Sequence, residues 1–443
     1  MGDGLKLPSS WAETTLDKII LTLESGSRPK GGVSHYLEGI PSLGGEHLNN
    51  VGGFKFEKIR FVPEKFVQTM RKGFIAPDDI LVVKDGATTA KVSYVTDAFP
   101  YKGAVINEHL FLIRLPKEID KKWVFYQLWS KEGRQGILMD FKGAAQGGIT
   151  NKFVENVRIV IPPFSEQRRI VEKIEELFSE LDSGIENLKT AQQQLNIYRQ
   201  AVLNYEFAKC SEFRNLEALL SEKLTNGYSG KPVLNETDIK VLSLSATTSG
   251  SFDKSKYKFL DEKNLEKRDI WCVPEDILIQ RGNTIEYVGV PAIYTGLPKK
   301  FIFPDLMIRV RANSSVISTK YLYYALSSPS IRNSLRKKAT GSAGTMPKIN
   351  QTTLKELLIP YVDINTQKHL VEKIEFNMDS SRMLKDSLNE SLLKSEALRQ
   401  SILQKAFTGQ LVPQDPSDEP ASKLLARIKL EVIKSQPVKK KKA

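Results

Sequence analysis

Three short stretches of this 443-residue chain carry residue types that do chemistry elsewhere, and each lacks a part its chemistry needs. Gly227-Tyr-Ser-Gly-Lys231 offers the glycines and lysine of a phosphate-cradling loop, which must continue into Ser or Thr to hold magnesium; Pro232 follows instead. Ile161-Pro-Pro-Phe164 has the outline of the Asn- or Asp-Pro-Pro-aromatic element that accepts a target amine, but isoleucine stands where the polar acceptor must be. Pro77-Asp78 with Asp120-Lys121-Lys122 matches the acidic and basic set that a nuclease places around magnesium. With 26% charged residues such a match arises readily, and a strand-edge turn accounts for Pro77-Asp78 equally well. His35, His47, His109 and His369 fall at no metal-ligand spacing, and the two cysteines, Cys210 and Cys272, cannot make a thiolate-rich site. No catalytic residue, cofactor or metal is expected in this chain.

Binding is the chemistry that remains. The formal net charge is +13, and it is unevenly placed: residues 1–160 carry a net +4, residues 211–360 a net +7, and the last 33 residues a further +4. Residues 161–210 and 361–410 come to −2 and 0. Two basic blocks separated by near-neutral segments suit two contacts with a polyanion. Reading duplex DNA takes Arg, Lys, Asn or Gln donors presented to base edges by a rigid scaffold. The first block offers Arg28, Lys30, Lys84, Gln146, Thr150 and Lys152 on loops, and the second offers Lys231, Arg281, Asn283, Ser342, Lys348 and Asn350. Arg336-Lys-Lys338 suits phosphates better than bases.

The elements that must position these residues occur twice. Gln167-Arg-Arg-Ile-Val-Glu-Lys-Ile-Glu175 returns 200 positions later as Gln367-Lys-His-Leu-Val-Glu-Lys-Ile-Glu375, and eleven of the forty-one positions from 167 to 207 are identical at that offset. Ile161-Pro162 and Ile359-Pro360 introduce the two copies. The blocks repeat as well: Ala76-Pro-Asp-Asp-Ile-Leu81 answers Val273-Pro-Glu-Asp-Ile-Leu278, and Trp123-Val-Phe-Tyr-Gln-Leu128 answers Tyr321-Leu-Tyr-Tyr-Ala-Leu326. A repeat of this length is a duplicated domain followed by a helix, not a solenoid unit.

From Ile170 the residues Ile174, Leu177, Leu181, Gly184, Leu188, Ala191, Leu195, Tyr198 and Val202 alternate by four and three, a heptad seam starting near Ser165. The second copy keeps Leu370, Ile374, Leu384, Leu388, Leu398 and Ile402 on its seam, with Asn377, Ser381 and Ser395 interspersed. Forty helical residues make a rod of about 60 Å, too long to bury its seam on a small domain, so the two copies should pair as an antiparallel intramolecular coiled coil. The blocks read as mixed α/β, with short alternating strands such as Ile80–Val83 and Gly-rich loops before the helices. The expected fold class is α+β: two mixed α/β domains separated by two long helices that form an antiparallel intramolecular coiled coil, a pseudo-twofold tandem repeat. The boundaries are 1–163, 164–208, 209–362, 363–411, and 412–443 for a linker, a short amphipathic helix from Ala421 to Ile433 and a basic tail. No apolar run of ~18 residues is present and the N-terminus lacks a signal-like stretch, so a cytoplasmic protein without membrane contact is expected.

Two variable blocks, each leading through Ile-Pro into a Gln-x-x-x-Val-Glu-Lys-Ile helix, resemble the specificity subunit of type I restriction–modification systems. Gln404-Lys-Ala-Phe-Thr-Gly-Gln-Leu411 and Glu419-Pro-Ala-Ser-Lys-Leu-Leu-Ala-Arg-Ile428 are similar to that family's ending, whereas the first helix departs from it by closing on Asn204-Tyr-Glu-Phe207. The resemblance implies a non-catalytic subunit that binds double-stranded DNA, two S-adenosylmethionine-dependent adenine methyltransferase subunits and an ATP-driven restriction subunit. S-adenosylmethionine, ATP and magnesium then belong to the partners. It further implies that the helices dock the methyltransferases through Gln167, Val171, Glu172, Ile174, Gln367, Val371, Glu372 and Ile374.

Two unlike readers tied by a rod imply a bipartite, asymmetric DNA target whose halves lie roughly one DNA turn, 34 Å or 10 bp, apart. The alternatives are a standalone metal-dependent DNA nuclease or modification enzyme with an unrecognised site, and a coiled-coil adaptor that binds protein only.

Overall fold

A computed structural model of the chain describes residues 7–143, 147–262, 265, 267–341 and 346–435. Gln146, Ser342 and the lysine tail lie outside the described residues. The chain forms two compact units, residues 1–186 with 392–443, and residues 187–391. The division falls inside both long helices, Phe164–Ala208 and Ile364–Phe407, so each unit holds one block and a half of each helix.

In the first unit a four-stranded antiparallel sheet runs in the order Thr22–Ser25, Leu110–Arg114, Ile80–Val83, Val92–Tyr94. Ile80, Leu81, Val82 and Val83 are all fully buried, because the sheet is covered on both faces. Ile80 and Val82 join Phe111 and Ile113 in the larger core under the helices, while Leu81 and Val83 join Leu110 and Leu112 in a smaller one. Burial on both faces corrects the expected alternation: all four side chains are apolar because each face meets a core. A three-stranded sheet of Arg60–Val62, Ile40–Leu43 and Val105–Ile106 covers the smaller core. A pair, Ala12–Thr15 with Arg158–Ile161, leads into the long helix.

The second unit repeats the plan: Thr225–Asn226, Met307–Val310, Ile277–Gln280 and Pro291–Ile293 form its four-stranded sheet, and Glu212–Asn215 pairs with Leu358–Tyr361. Its three-stranded sheet is built from Pro232–Val233, Tyr257–Leu260 and Ile239–Leu242.

The repeated Pro-Asp/Glu-Asp motif has a structural reason. Asp79 and Asp276 are buried, and each is gripped by two guanidinium nitrogens of one arginine: Arg114 at 2.8 and 3.0 Å, Arg311 at 2.6 and 3.3 Å. Each carboxylate also accepts a turn N–H, from Ala76 and Val273, both at 2.8 Å. The preceding residues, Asp78 and Glu275, take left-handed φ values of 68° and 73° to close those turns.

The long helices begin after Pro163 and Asp363, so Ser165, expected as the start of the first, lies inside it. Within the first unit Ile174 and Phe178 share a core with Ile402, Leu403 and Ala406, and the Arg399 guanidinium lies over the Phe178 ring at 4.7 Å and pairs with Asp182. Within the second, Leu203 and Phe207 pack with Val371 and Ile374, and Tyr198 donates to Asn377 at 2.8 Å. Partner numbers fall as the first helix rises, so the helices pair antiparallel as expected. The seam itself needs correction. Leu384 and Leu398 are exposed, as is Gly184; Ser381, Leu388, Arg399 and Ile402 hold the buried positions. Leu398 sits one residue from the buried Arg399, whereas Leu384 keeps the spacing to Ser381 and Leu388 and is exposed all the same.

The C-terminal segment is not a separate tail. Helix Ala421–Ser435 buries Ala421, Leu424, Leu425, Ile428 and Val432 in the first unit's main core. It is tied there by Arg169 to Asp418 at 2.7 Å and by the Ala421 N–H to Ser10 O at 2.9 Å. The linker is held too: Glu166 accepts from the Trp11 indole at 3.1 Å and from Gln414 at 2.5 Å.

Candidate nucleic-acid interface

In each unit several loops meet at one end of the four-stranded sheet. In the first, the loop after Ser25, the turn leaving Val83, the turn entering Leu110 and the 140–150 loop converge there. Lys84 N–H bonds His109 O at 2.8 Å and Ile149 N–H bonds Lys84 O at 2.8 Å, while Asp85 bridges Gly148. The second unit closes the same way: Arg281 N–H bonds Leu306 O at 2.8 Å, Ile349 N–H bonds Arg281 O at 2.9 Å, and Gly282 bridges Lys348. The equivalence follows from register, since Val83 pairs with Leu110 and Gln280 with Met307 at the same sheet end.

This convergence gathers most of the candidate readers. Arg28 is exposed and pairs with Glu108 at 2.5 Å. Lys84 is half-buried, its ammonium 5.7 Å from the Phe111 ring centroid. Lys30, Lys152, Lys231 and Lys348 are exposed, and the described residues show no ion pair for any of them. Arg281 donates to Asp305 O at 3.3 Å.

Thr150, Asn283 and Asn350 are partly spent on the fold. Thr150 gives its N–H and hydroxyl to Asp140 at 2.6 and 2.7 Å, and Asn350 caps a helix by accepting from Thr353 N–H at 2.7 Å. Burial alone would raise the Asp140 carboxyl, but the Thr150 donors hold it below its usual range. Asn283 donates to Gln280 at 3.2 Å and accepts from Thr284 N–H. The loop after Asn283 is pinned from beneath by Arg332, which donates to Val288 O and Glu286 O at 2.5 and 3.0 Å, and by Arg336. Burial lowers the Arg332 guanidinium to about 10. Gln146 and Ser342 cannot be placed, lying outside the described residues.

The residues that resembled enzyme sites have structural employment. Lys231 leads a strand and not a helix, Tyr228 and Ser229 bond Glu262 and Asp305, and the phosphate-loop geometry is absent. Asp120 caps a helix by accepting from Trp123 N–H at 3.0 Å, and Asp78 accepts from the Tyr94 hydroxyl. Among the described residues no group of three or more His, Cys, Asp or Glu side chains could hold a metal, and no helix is long and apolar enough to cross a membrane.

Most of the docking residues that the resemblance implies for the long helices are turned inward. Gln167 and Gln367 are fully buried clasps. Gln167 accepts from Asp120 N–H at 3.0 Å and donates to Pro162 O at 2.9 Å; Gln367 accepts from Ser318 N–H at 2.8 Å and donates to Val316 O and Val362 O at 3.1 and 2.8 Å. Val171, Ile174, Val371 and Ile374 fill their own units' cores. Of the eight, only Glu172 and Glu372 face solvent. Helix and block must be joined rigidly if a block is to be aimed, and an intramolecular contact repeats as faithfully as an intermolecular one.

Sequence reasoning missed Asp85, Glu108 and His109 in the first cluster, and Ser229 and Asp305 in the second. Acidic residues are not sought on a basic face, and the spacing of His109 suggests only a bland polar or surface role.

Comparison with known proteins places this architecture. The family model described as the type I restriction modification DNA specificity domain matches residues 27–191 and again 219–390. The type I restriction enzyme EcoKI specificity subunit of Escherichia coli (strain K12) is 26% identical over 457 aligned residues, covering 96% of each chain. A solved chain from work on complex assembly and conformational transition of the type I R-M system superposes with a TM-score of 0.70 at 18% identity, covering 92% of this chain and 100% of that one. The HsdS subunit from Thermoanaerobacter tengcongensis gives 0.52 at 18% identity, covering 92% and 98%. The two structures speak to fold alone.

Proposed function

Because the chain belongs to the type I restriction modification DNA specificity family, we propose that it is the DNA-reading subunit of such a system and performs no catalysis of its own. The observation that carries this reading is the pair of loop clusters, built at equivalent sheet ends in both units yet furnished with different side chains. A duplicated scaffold with unlike tips is what a bipartite, asymmetric target requires. Arg28, Lys30, Lys84, Lys152, Lys231, Arg281, Asn283, Lys348 and Asn350 are the proposed DNA contacts on the described loops, with the exposed lysines setting salt dependence and phosphate register. Gln146, Thr150 and Ser342 belong to the same loops by sequence.

Residues 1–163 and 209–362 act as the two target-recognition domains. Two adenine methyltransferase subunits and an ATP-driven restriction subunit are the proposed partners, and S-adenosylmethionine and ATP chemistry resides in them. Six of the eight helix residues first assigned to docking are spent internally, so the docking face is reassigned to the exposed side that carries Glu172 and Glu372. The protein works in the cytoplasm in this reading.

A map of N6-methyladenine in the host genome, with the gene intact and deleted, tests the reading. A split, asymmetric motif that vanishes on deletion supports it. Methylation that persists unchanged refutes it.

A further inference from the structure

The two loop clusters differ at one place in a way that names a base contact. In the first unit Asp85, Glu108, His109 and Arg28 form a chain: His109 Nδ1 lies 2.5 Å from Asp85 Oδ1, His109 Nε2 3.5 Å from Glu108 Oε1, and Arg28 Nε 2.5 Å from the same Glu108 oxygen. The register of the second unit puts Gly282 where Asp85 stands and Leu306 where His109 stands. Asp305, in the place of Glu108, is bonded to Ser229 at 2.5 Å. The scaffold is shared, but the charged network belongs to one unit only.

Asp85 is built to hold one orientation. Its ring partner is His109, itself braced by Glu108 and Arg28. The 140–150 loop presses on it through Gly148, where a Cβ would come within 2.8 Å of Asp85 Cβ. The Asp85 and His109 side chains are nevertheless 33% and 39% exposed, and Asp85 Oδ2 takes no hydrogen bond among the described residues. Lys84 precedes Asp85 in the chain, and the exposed Lys142 pairs with the same Gly148. A carboxylate inside a phosphate-binding face is repelled by the backbone. It is favourable there only where it meets a donor, and on DNA the matching donor for Asp or Glu is the N4 amino group of cytosine in the major groove.

We propose that Asp85 is a specificity-determining residue of the first block, accepting a hydrogen bond from cytosine N4 through Oδ2, with His109 as its positioning residue. The inference rests on the DNA-reading function above and deepens it: the first half-site contains a cytosine read by a carboxylate, and the second block, with Gly282 at that place, has no equivalent acceptor.

The test uses the full-length chain purified with its partner subunits, selecting duplexes from a randomised library. The variants are D85A, D85N and H109Q. For D85A, one position of the first half of the motif loses its preference for cytosine by about tenfold or more, the second half is unchanged, and binding to unrelated DNA strengthens because a repulsive charge is gone. D85N is nearly isosteric and keeps the test alive if D85A folds poorly; at that same position it shifts preference towards adenine, whose N6 and N7 pair with an amide. H109Q weakens discrimination at the same base pair by less. An unchanged motif in D85A and D85N, or a change in the second half, overturns the proposal while leaving the DNA-reading function intact. A wild-type complex that selects no split motif overturns both.

Discussion

Replacing Gln367 with alanine should cost the second unit far more than a surface change on a long helix would. The side chain is fully buried and makes three hydrogen bonds, at 2.8, 3.1 and 2.8 Å, to Ser318 N–H, Val316 O and Val362 O. Alanine leaves three part-buried backbone groups without that partner, each worth about 1 kcal/mol net, so a loss of up to about 3 kcal/mol is expected. For a unit of this size that lowers the thermal midpoint by roughly 6–12 °C. Gln167 makes two such bonds, so Q167A should lose about 2 kcal/mol, roughly 4–8 °C, and in the first unit only. Calorimetry resolves the two transitions, and co-purification with the methyltransferase subunits is measured in parallel. A Q367A chain with the wild-type midpoint but no bound methyltransferase would refute the clasp and restore the glutamine as a docking residue.

Other perturbations probe separate links. R311M strands the buried Asp276 carboxylate with only the Val273 N–H, and should destabilise the second unit by about 3–5 kcal/mol in urea unfolding; a shift under 1 kcal/mol would contradict the pairing. Asp363 caps the second long helix, accepting from the N–H groups of Asn365 and Thr366, and the Thr366 hydroxyl holds its carboxyl below the ordinary 3.8. A depressed carboxyl stabilises above its unfolded value and loses that contribution as pH falls through the folded one. The midpoint gap between wild type and D363A should therefore be full at pH 7 and close below about pH 3.8; a constant gap would exclude the ionised cap. Removal of residues 412–443 should lower the first unit's midpoint and spare the second, because five buried side chains of the terminal helix pack in the first core. K84A and K152A should each reduce the salt dependence of DNA affinity by about one unit in log–log slope without changing the motif; an altered motif would make either lysine a base reader.

The duplication and the paired helices are legible because each has a periodic or repeated signature. Ile80–Val83 reads as a strand from sequence, but its burial on both faces, with a core on each side, is a tertiary fact that a short alternating strand does not imply. Other features were hidden for physical reasons. The Pro-Asp-Asp motif was visible, but its partner Arg114 lies 35 positions away on another strand, and no local pattern links them. The glutamines were read as docking residues since a recurring polar residue at a helix start looks alike whether its partner is the same chain or another. Leu384 and Leu398 fit the heptad spacing yet are exposed, Leu398 because its neighbour Arg399 takes the buried position. The terminal helix was recognised as amphipathic, but which surface it covers is a tertiary fact. In the candidate site some of the proposed side chains are committed to the turns that carry them. Hydrogen-bonding residues in tight turns, such as Thr150 and Asn350, serve the turn first.

The central claim is that each block reads its own half of a split DNA target. Its most direct test exchanges residues 209–362 for the corresponding block of a relative with a different known target, in a host lacking the native gene, and maps N6-methyladenine genome-wide. The account predicts that one half of the methylated motif changes to the relative's and the other half stays as it was. A motif changed in both halves, or unchanged altogether, would contradict it.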